Sequence, residues 1–91
     1  MERLPNPTNL VSPILKTLLK AKSPLSHSQI EAGVIIELAI PESLSSVKRS
    51  GNRRELSYRL SWARTAAKNQ GLIERNTEGL WEITDKGRVN L

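Results

Sequence analysis

Apolar residues recur at helical spacing from Leu10 onward, at Leu10, Val11, Ile14, Leu15, Leu18 and Leu19. Pro13 either opens this helix behind Ser12 or kinks one already begun at Leu10. Ser23-Pro24 ends it, because the residue before a proline avoids helical backbone. Residues 1–9, with Pro5, Asn6 and Pro7, read as an irregular lead-in, so the folded domain is expected over 10–91. A second helix opens at Ser26, which with Gln29 three residues on makes a capping box. Its buried side is Ile30, Val34 and Leu38, with Ile35 or Ile36 alongside, and Pro41 marks its exit. Residues 41–51 read as a loop with room for one helical turn.

The third helix carries the clearest signals. Asn52 is placed as its N-cap, Glu55 as the partner in a second capping box, and Gly71 as the residue just past its end. Leu56, Leu60, Ala63 and Ala67 form one apolar stripe, with Ala66 and Trp62 at its edge and Arg59 nearer this side than the polar one. After Gly71 the period changes to two. Leu72–Arg75 and Leu80–Thr84, joined through Asn76-Thr77-Glu78-Gly79, predict a β-hairpin whose turn uses the positive φ open to Gly79. Thr84 then caps a last short turn. Three helices followed by a two-stranded hairpin make an α+β, mainly α, chain with the order of a winged helix–turn–helix. In that layout the third helix lies in the major groove and the hairpin, or wing, runs along the adjacent backbone.

Charge sharpens this picture. The chain of 91 residues has a formal net charge of +5. Four cations and four anions cancel over residues 1–47, whereas 48–91 hold ten cations against five anions. Between Lys48 and Lys68 seven cations face one anion, Glu55, and five of the seven are Arg, whose planar fork suits phosphate and guanine edges. Such a segment is an electrostatic footprint for nucleic acid. Composition also limits the chemistry. The absence of Cys removes disulfides, thiolate metal sites and cysteine nucleophiles, and one His with one Asp leaves no catalytic triad or metal cage. No cofactor and no enzymatic activity are therefore expected. No apolar run approaches a membrane span, and residues 1–7 lack the apolar stretch of a secretory signal, so a cytoplasmic domain is expected.

The stretch Leu60–Glu74, with Trp62-Ala63 leading to Gly71-Leu72, and the phrase Trp81-Glu82-Ile83-Thr84-Asp85-Lys86-Gly87 resemble the N-terminal winged-helix domain of Mrr-like restriction endonucleases. There a Trp-Ala pair in the third helix leads to Gly-Leu, and the wing ends in an aromatic-x-Ile-Thr-x-x-Gly phrase. Pro13 within Leu10–Leu15 is similar to the family's proline-interrupted first helix. The likeness covers about Leu10 to Leu91, and Pro41–Gly51 matches no pattern. The resemblance implies recognition of double-stranded DNA, with cytosine methylation as a modification it would sense, and a fused nuclease domain in the native protein. The sole Asp, Asp85, lies in the terminal turn, so the nuclease constellation is not expected in this chain.

Arg53, Arg54, Ser57, Tyr58 and Ser61 are the expected base readers. The two arginines are placed in the first turn of the third helix, to pair with guanine or to contact phosphate alone. Tyr58 faces either a pyrimidine methyl group or the underside of the wing. Lys48, Arg49, Arg64, Lys68, Arg75, Asn76, Thr77 and Lys86 are the expected backbone contacts, although Asn76 also suits a plain turn residue. Trp62 and Trp81 are expected in the core, Trp81 opposite Ile73, as the large side chains of a chain without Phe. His27 is expected to be an exposed first-turn residue beside N–H groups that a phosphate could use. The competing function is a small dimeric winged-helix transcriptional regulator whose seam would come from the lead-in or helix one; the oligomeric state is left open.

Overall fold

The computed structural model describes residues 3–90, so Met1, Glu2 and Leu91 of the expected lead-in and domain lie outside the described residues. The first helix, α1 (Pro7–Ala21), begins three residues earlier than expected. Pro7 sits in its first turn, where an absent amide costs nothing, and Pro13 is therefore interior rather than initiating. Pro13 is buried, and Asn9, whose carbonyl it leaves without a helical donor, is an exposed residue. The helix closes on Lys22, in left-handed conformation, whose amide donates to the Leu18 carbonyl.

Leu25 then pairs with Trp81 as an antiparallel bridge, through Leu25 N–H to Trp81 O at 3.0 Å and Trp81 N–H to Leu25 O at 2.7 Å. This ties the α1–α2 connection to the wing. Helix α2 (His27–Leu38) carries the expected capping box: Ser26 Oγ accepts from Gln29 N–H, and Gln29 Oε1 accepts from Ser26 N–H. Ile30 and Val34 are buried, Ile35 is half-buried and Ile36 is exposed.

The 41–54 segment departs most from expectation. It holds one turn of helix, α3 (Glu42–Ser45), and then a small antiparallel hairpin, β1 (Lys48–Ser50) and β2 (Arg53–Arg54). Asn52 is not an N-cap: Gly51, at φ 54°, and Asn52 form the turn between these strands. Glu55 accordingly opens α4 (Glu55–Asn69) rather than closing a capping box, and Arg54, with extended backbone, stands at the N-cap without a side-chain capping bond. The Glu55 amide is satisfied instead by the Val47 carbonyl at 2.8 Å. Gly-Asn is a hairpin turn signal, but its flanks, Lys-Arg-Ser and Arg-Arg, show none of the apolar alternation that marks a strand.

Leu56, Leu60, Ala63 and Ala67 of α4 are buried as expected, against Leu10, Ile14, Leu15 and Leu18 of α1 and Ile30 and Val34 of α2. Gly71, at φ 76°, terminates the helix. The wing is β3 (Ile73–Arg75) with β4 (Trp81–Ile83), in register Ile73 to Ile83, Glu74 to Glu82 and Arg75 to Trp81. Trp81 therefore faces Arg75 rather than Ile73. Thr84 links the wing to α5 (Asp85–Val89), its hydroxyl donating to Gly71 O at 2.6 Å and accepting from Gly87 N–H at 3.0 Å. The result is an α+β, mainly helical winged helix–turn–helix arrangement, in which α1, α2 and α4 are the three main helices and β3–β4 is the wing. The short α3 and the β1–β2 hairpin are inserted before α4.

Trp62 is not core: it is 56% exposed. The buried stripe at 56, 60, 63 and 67 leaves its spacing off the packed side, and small Ala63 and Ala67 let α1 and α4 approach closely without a ring between them.

Candidate nucleic-acid interface

The side chains flanking α4 divide into two groups. The first lies at its start. Arg49, from β1, places its guanidinium carbon 3.6 Å from the Tyr58 ring centroid, and Arg53, from β2, lies 5.3 Å from the same centroid. Trp62, one turn on, meets Tyr58 edge-on, with centroids 6.3 Å apart and planes at 74°. Arg49 also donates to Glu55 Oε1 at 3.1 Å, while Arg59 donates to Glu55 Oε2 at 2.8 Å. The Arg59 hydrogen bond foremost, against partial desolvation, and then Arg49 hold the Glu55 carboxyl below the usual carboxylate range. Arg59 further donates to the carbonyls of Leu4, at 2.8 Å, and Pro5, at 3.1 Å. It is a structural clamp between α4 and the segment before α1, in keeping with its place near the apolar stripe.

The second group forms a cleft of about 350 Å³ between the start of α2 and α4, lined by His27, Ser28, Glu31, Arg53, Arg54, Ser57 and Arg64. Glu31 is buried at 5% exposure. Its Oε1 accepts from the Ser57 hydroxyl at 2.6 Å and its Oε2 is ion-paired with Arg54. Arg64 is half-buried, and its Nε is buried without a hydrogen-bond partner. Burial lowers its pKa, the Glu31 charge offsets part of this, and Arg75 and Arg53 add to the lowering. The guanidinium still carries its charge at neutral pH. On its far side the Trp81 ring has Arg64 at 5.9 Å and Arg75 at 5.7 Å from its centroid. Cations from β2, α4 and β3 thus converge along one flank of α4, while the two anions among them, Glu31 and Glu55, are both engaged by arginine.

The expected site residues fall unevenly on this surface. Arg53 and Arg54 belong to β2, not to the first helical turn, because the hairpin delays the helix until Glu55. Lys48 and Arg49 lie exposed on β1, and Lys68 is exposed near the end of α4. Ser57 is committed to Glu31, whereas Tyr58 and Ser61 are half-buried on the side of α4 away from the core. In the wing, Arg75 donates to Gly79 O, Thr77 is exposed at the tip, and the Asn76 Oδ1 accepts from the amides of Glu78 and Leu80, at 2.9 and 3.0 Å, fastening the turn. Lys86 lies on α5, which packs against α1, and does not line the cleft. Glu31 was not foreseen: a single carboxylate in the mixed pattern of α2 carries no sign that it will be enclosed.

A larger cleft, about 740 Å³, lies on the other face of the wing. Leu18, Leu19, Pro24 and Ile83 line it together with Glu74, Glu82, Asp85, Lys22 and Arg88, and Arg88 is paired with Asp85 at 2.8 Å. Strand alternation puts Glu74 and Glu82 on the face opposite Arg75 and Trp81. Among the described residues, no group of three or more His, Asp or Glu side chains could hold a metal ion, and no helix is long and apolar enough to cross a membrane.

Fold and surface together define a winged helix–turn–helix domain with a cationic flank on its third main helix. The chain belongs to the Mrr N-terminal domain family, whose match runs over residues 8–91, and this ties it to Mrr-like restriction systems as a non-catalytic module. No match was found among curated proteins or solved structures.

Proposed function

We propose that this chain is a double-stranded DNA-binding module that supplies recognition to a restriction nuclease, with α4 in the major groove and β3–β4 along the adjacent backbone. The observation that carries the reading is the convergence of Arg49, Arg53, Arg54, Arg64 and Arg75 around α4, with both nearby carboxylates already engaged. Arg53 and Arg54, at the mouth of the helix, are the candidates for base edges beside Tyr58 and Ser61. Lys48, Arg49, Lys68, Arg75 and Thr77 contact phosphates, and Arg64, which lines the cleft beside the start of α2, does so for the phosphate nearest α2. The β1–β2 hairpin acts as a second basic arm at the start of α4.

The fused partner would be a nuclease, and 5-methylcytosine is the modification to test. A regulator with an α1 seam is less well supported, because α1 buries Leu10, Ile14, Leu15 and Leu18 inside the domain, half-buries Val11 and leaves Leu19 as its exposed large apolar residue.

Fluorescence anisotropy against duplex pools differing only in cytosine methylation tests the proposal. With five to seven phosphates neutralised, log K against log salt should slope about −4.5 to −6.3. A preference of about tenfold for methylated DNA supports the modification-dependent form, and equal binding supports a sequence reader. Absence of binding at low salt overturns the proposal.

A further inference from the structure

Trp62 is the most exposed large aromatic on the described surface, and the core does not account for it. It stands one turn after Tyr58 and three residues before Thr65, on the solvent side of α4. Its ring is held edge-on by Tyr58, which is itself covered by Arg49 and approached by Arg53. An indole left in water on a fixed scaffold is an apolar contact already positioned. The charge around it selects the occupant. Arg49 and Arg53 stand over Tyr58 on this side of α4, and Glu55 is held by two arginines, so the patch suits a polyanion and disfavours a basic protein face.

Resting on the DNA-binding reading, we infer that Trp62 packs against the 5-methyl group of a pyrimidine in the major groove. That methyl is the one apolar feature a base pair displays there, and thymine and 5-methylcytosine present the same group. Tyr58 acts as the positioning residue: its ring, covered by Arg49 and approached by Arg53, holds the indole edge-on. Specificity at this position is then apolar and separate from the charge-dependent contacts.

The test begins with a duplex selected by the wild-type protein from a random pool. Thymines are replaced one at a time by uracil, and cytosines one at a time by 5-methylcytosine, with binding measured for wild type and for Trp62→Ala and Trp62→Phe. One substitution should change wild-type affinity by about fourfold, the value of one buried methyl. Loss on a thymine-to-uracil change identifies thymine as the source, and gain on methylation identifies 5-methylcytosine. Trp62→Ala should abolish that difference with an unchanged salt slope, and Trp62→Phe should retain part of it. Wild-type binding in which no methyl matters, or Trp62→Ala that keeps the methyl discrimination, overturns the inference and leaves DNA binding standing. The same holds if Trp62→Ala instead dissolves a dimer, which would make the indole a seam between copies. Failure to select any duplex overturns the DNA-binding reading itself.

Discussion

Arg59 and Arg64 show how two cations five positions apart on one helix acquire different work. Arg59 makes hydrogen bonds from Nε to Glu55 and from Nη1 to the carbonyls of Leu4 and Pro5, so two of its three nitrogens are engaged inside the protein. Arg64 keeps a buried Nε without a partner beside Glu31, Arg53 and Arg75. Arg59→Ala is expected to lower stability by about 2 kcal/mol, as loss of hydrogen bonds to a charged group does, and to leave the salt dependence of DNA binding unchanged. Arg64→Ala is expected to flatten that slope by about 1 with a smaller loss of stability. Thermal unfolding of both variants beside salt titrations separates the roles, and a slope that falls for Arg59→Ala would reverse the assignment.

At the scale of elements, close approaches and ion pairs hold the short pieces onto the helices. Gly87 of α5 lies where a Cβ would overlap the Leu72 carbonyl and crowd Ile83, neither of which is a free side-chain end. Gly87→Ala should therefore destabilise by about 1–3 kcal/mol, the usual range for overpacking. Gly51→Ala meets open space and carries only the strain of its positive φ, about 1 kcal/mol. Denaturant unfolding should rank the two in that order.

The β1–β2 hairpin depends on Glu55, which its Arg49 and the Arg59 of α4 both engage. Because the Glu55 pKa is lowered on folding, the stability it contributes is complete above the ordinary Glu range, about 4.3. It is lost as pH falls through the lower value of the folded state. Glu55→Gln should make stability less dependent on pH across that interval. An unchanged acid limb in the variant would show that this carboxylate is not coupled to folding.

Across the whole molecule, the three main helices and the wing were legible in the sequence because each combines an apolar period with its own stop or start: Ser23-Pro24, Ser26 with Gln29, Gly71, and Gly79 with Thr84. The inserted hairpin was hidden because Lys48–Ser50 and Arg53–Arg54 are exposed throughout. A strand with no buried face leaves no alternation to read, so Asn52 looked like a cap. Residue types pointed to a cationic region, whereas the partners of its side chains are set by tertiary neighbours. Ser57 is taken by Glu31, Asn76 by its own turn, and Trp62 is displaced to the surface because the alanines of α4 fill the packed side.

The wing's two faces differ in sign. Arg75 joins the arginine-lined flank, while Glu74 and Glu82 stand opposite one another behind it, next to Asp85. In the field of any polyanion this arrangement produces a torque as well as an attraction. On the DNA-binding reading, the domain would turn the face bearing Glu74 and Glu82 outward before contact is made, and orientations that lay the back of the wing on the polymer would be disfavoured during approach. The same reading has a consequence for geometry along a filament: the face left pointing into solvent carries Glu74 and Glu82, so an acidic surface reaching over the module is repelled there and a basic one is drawn in.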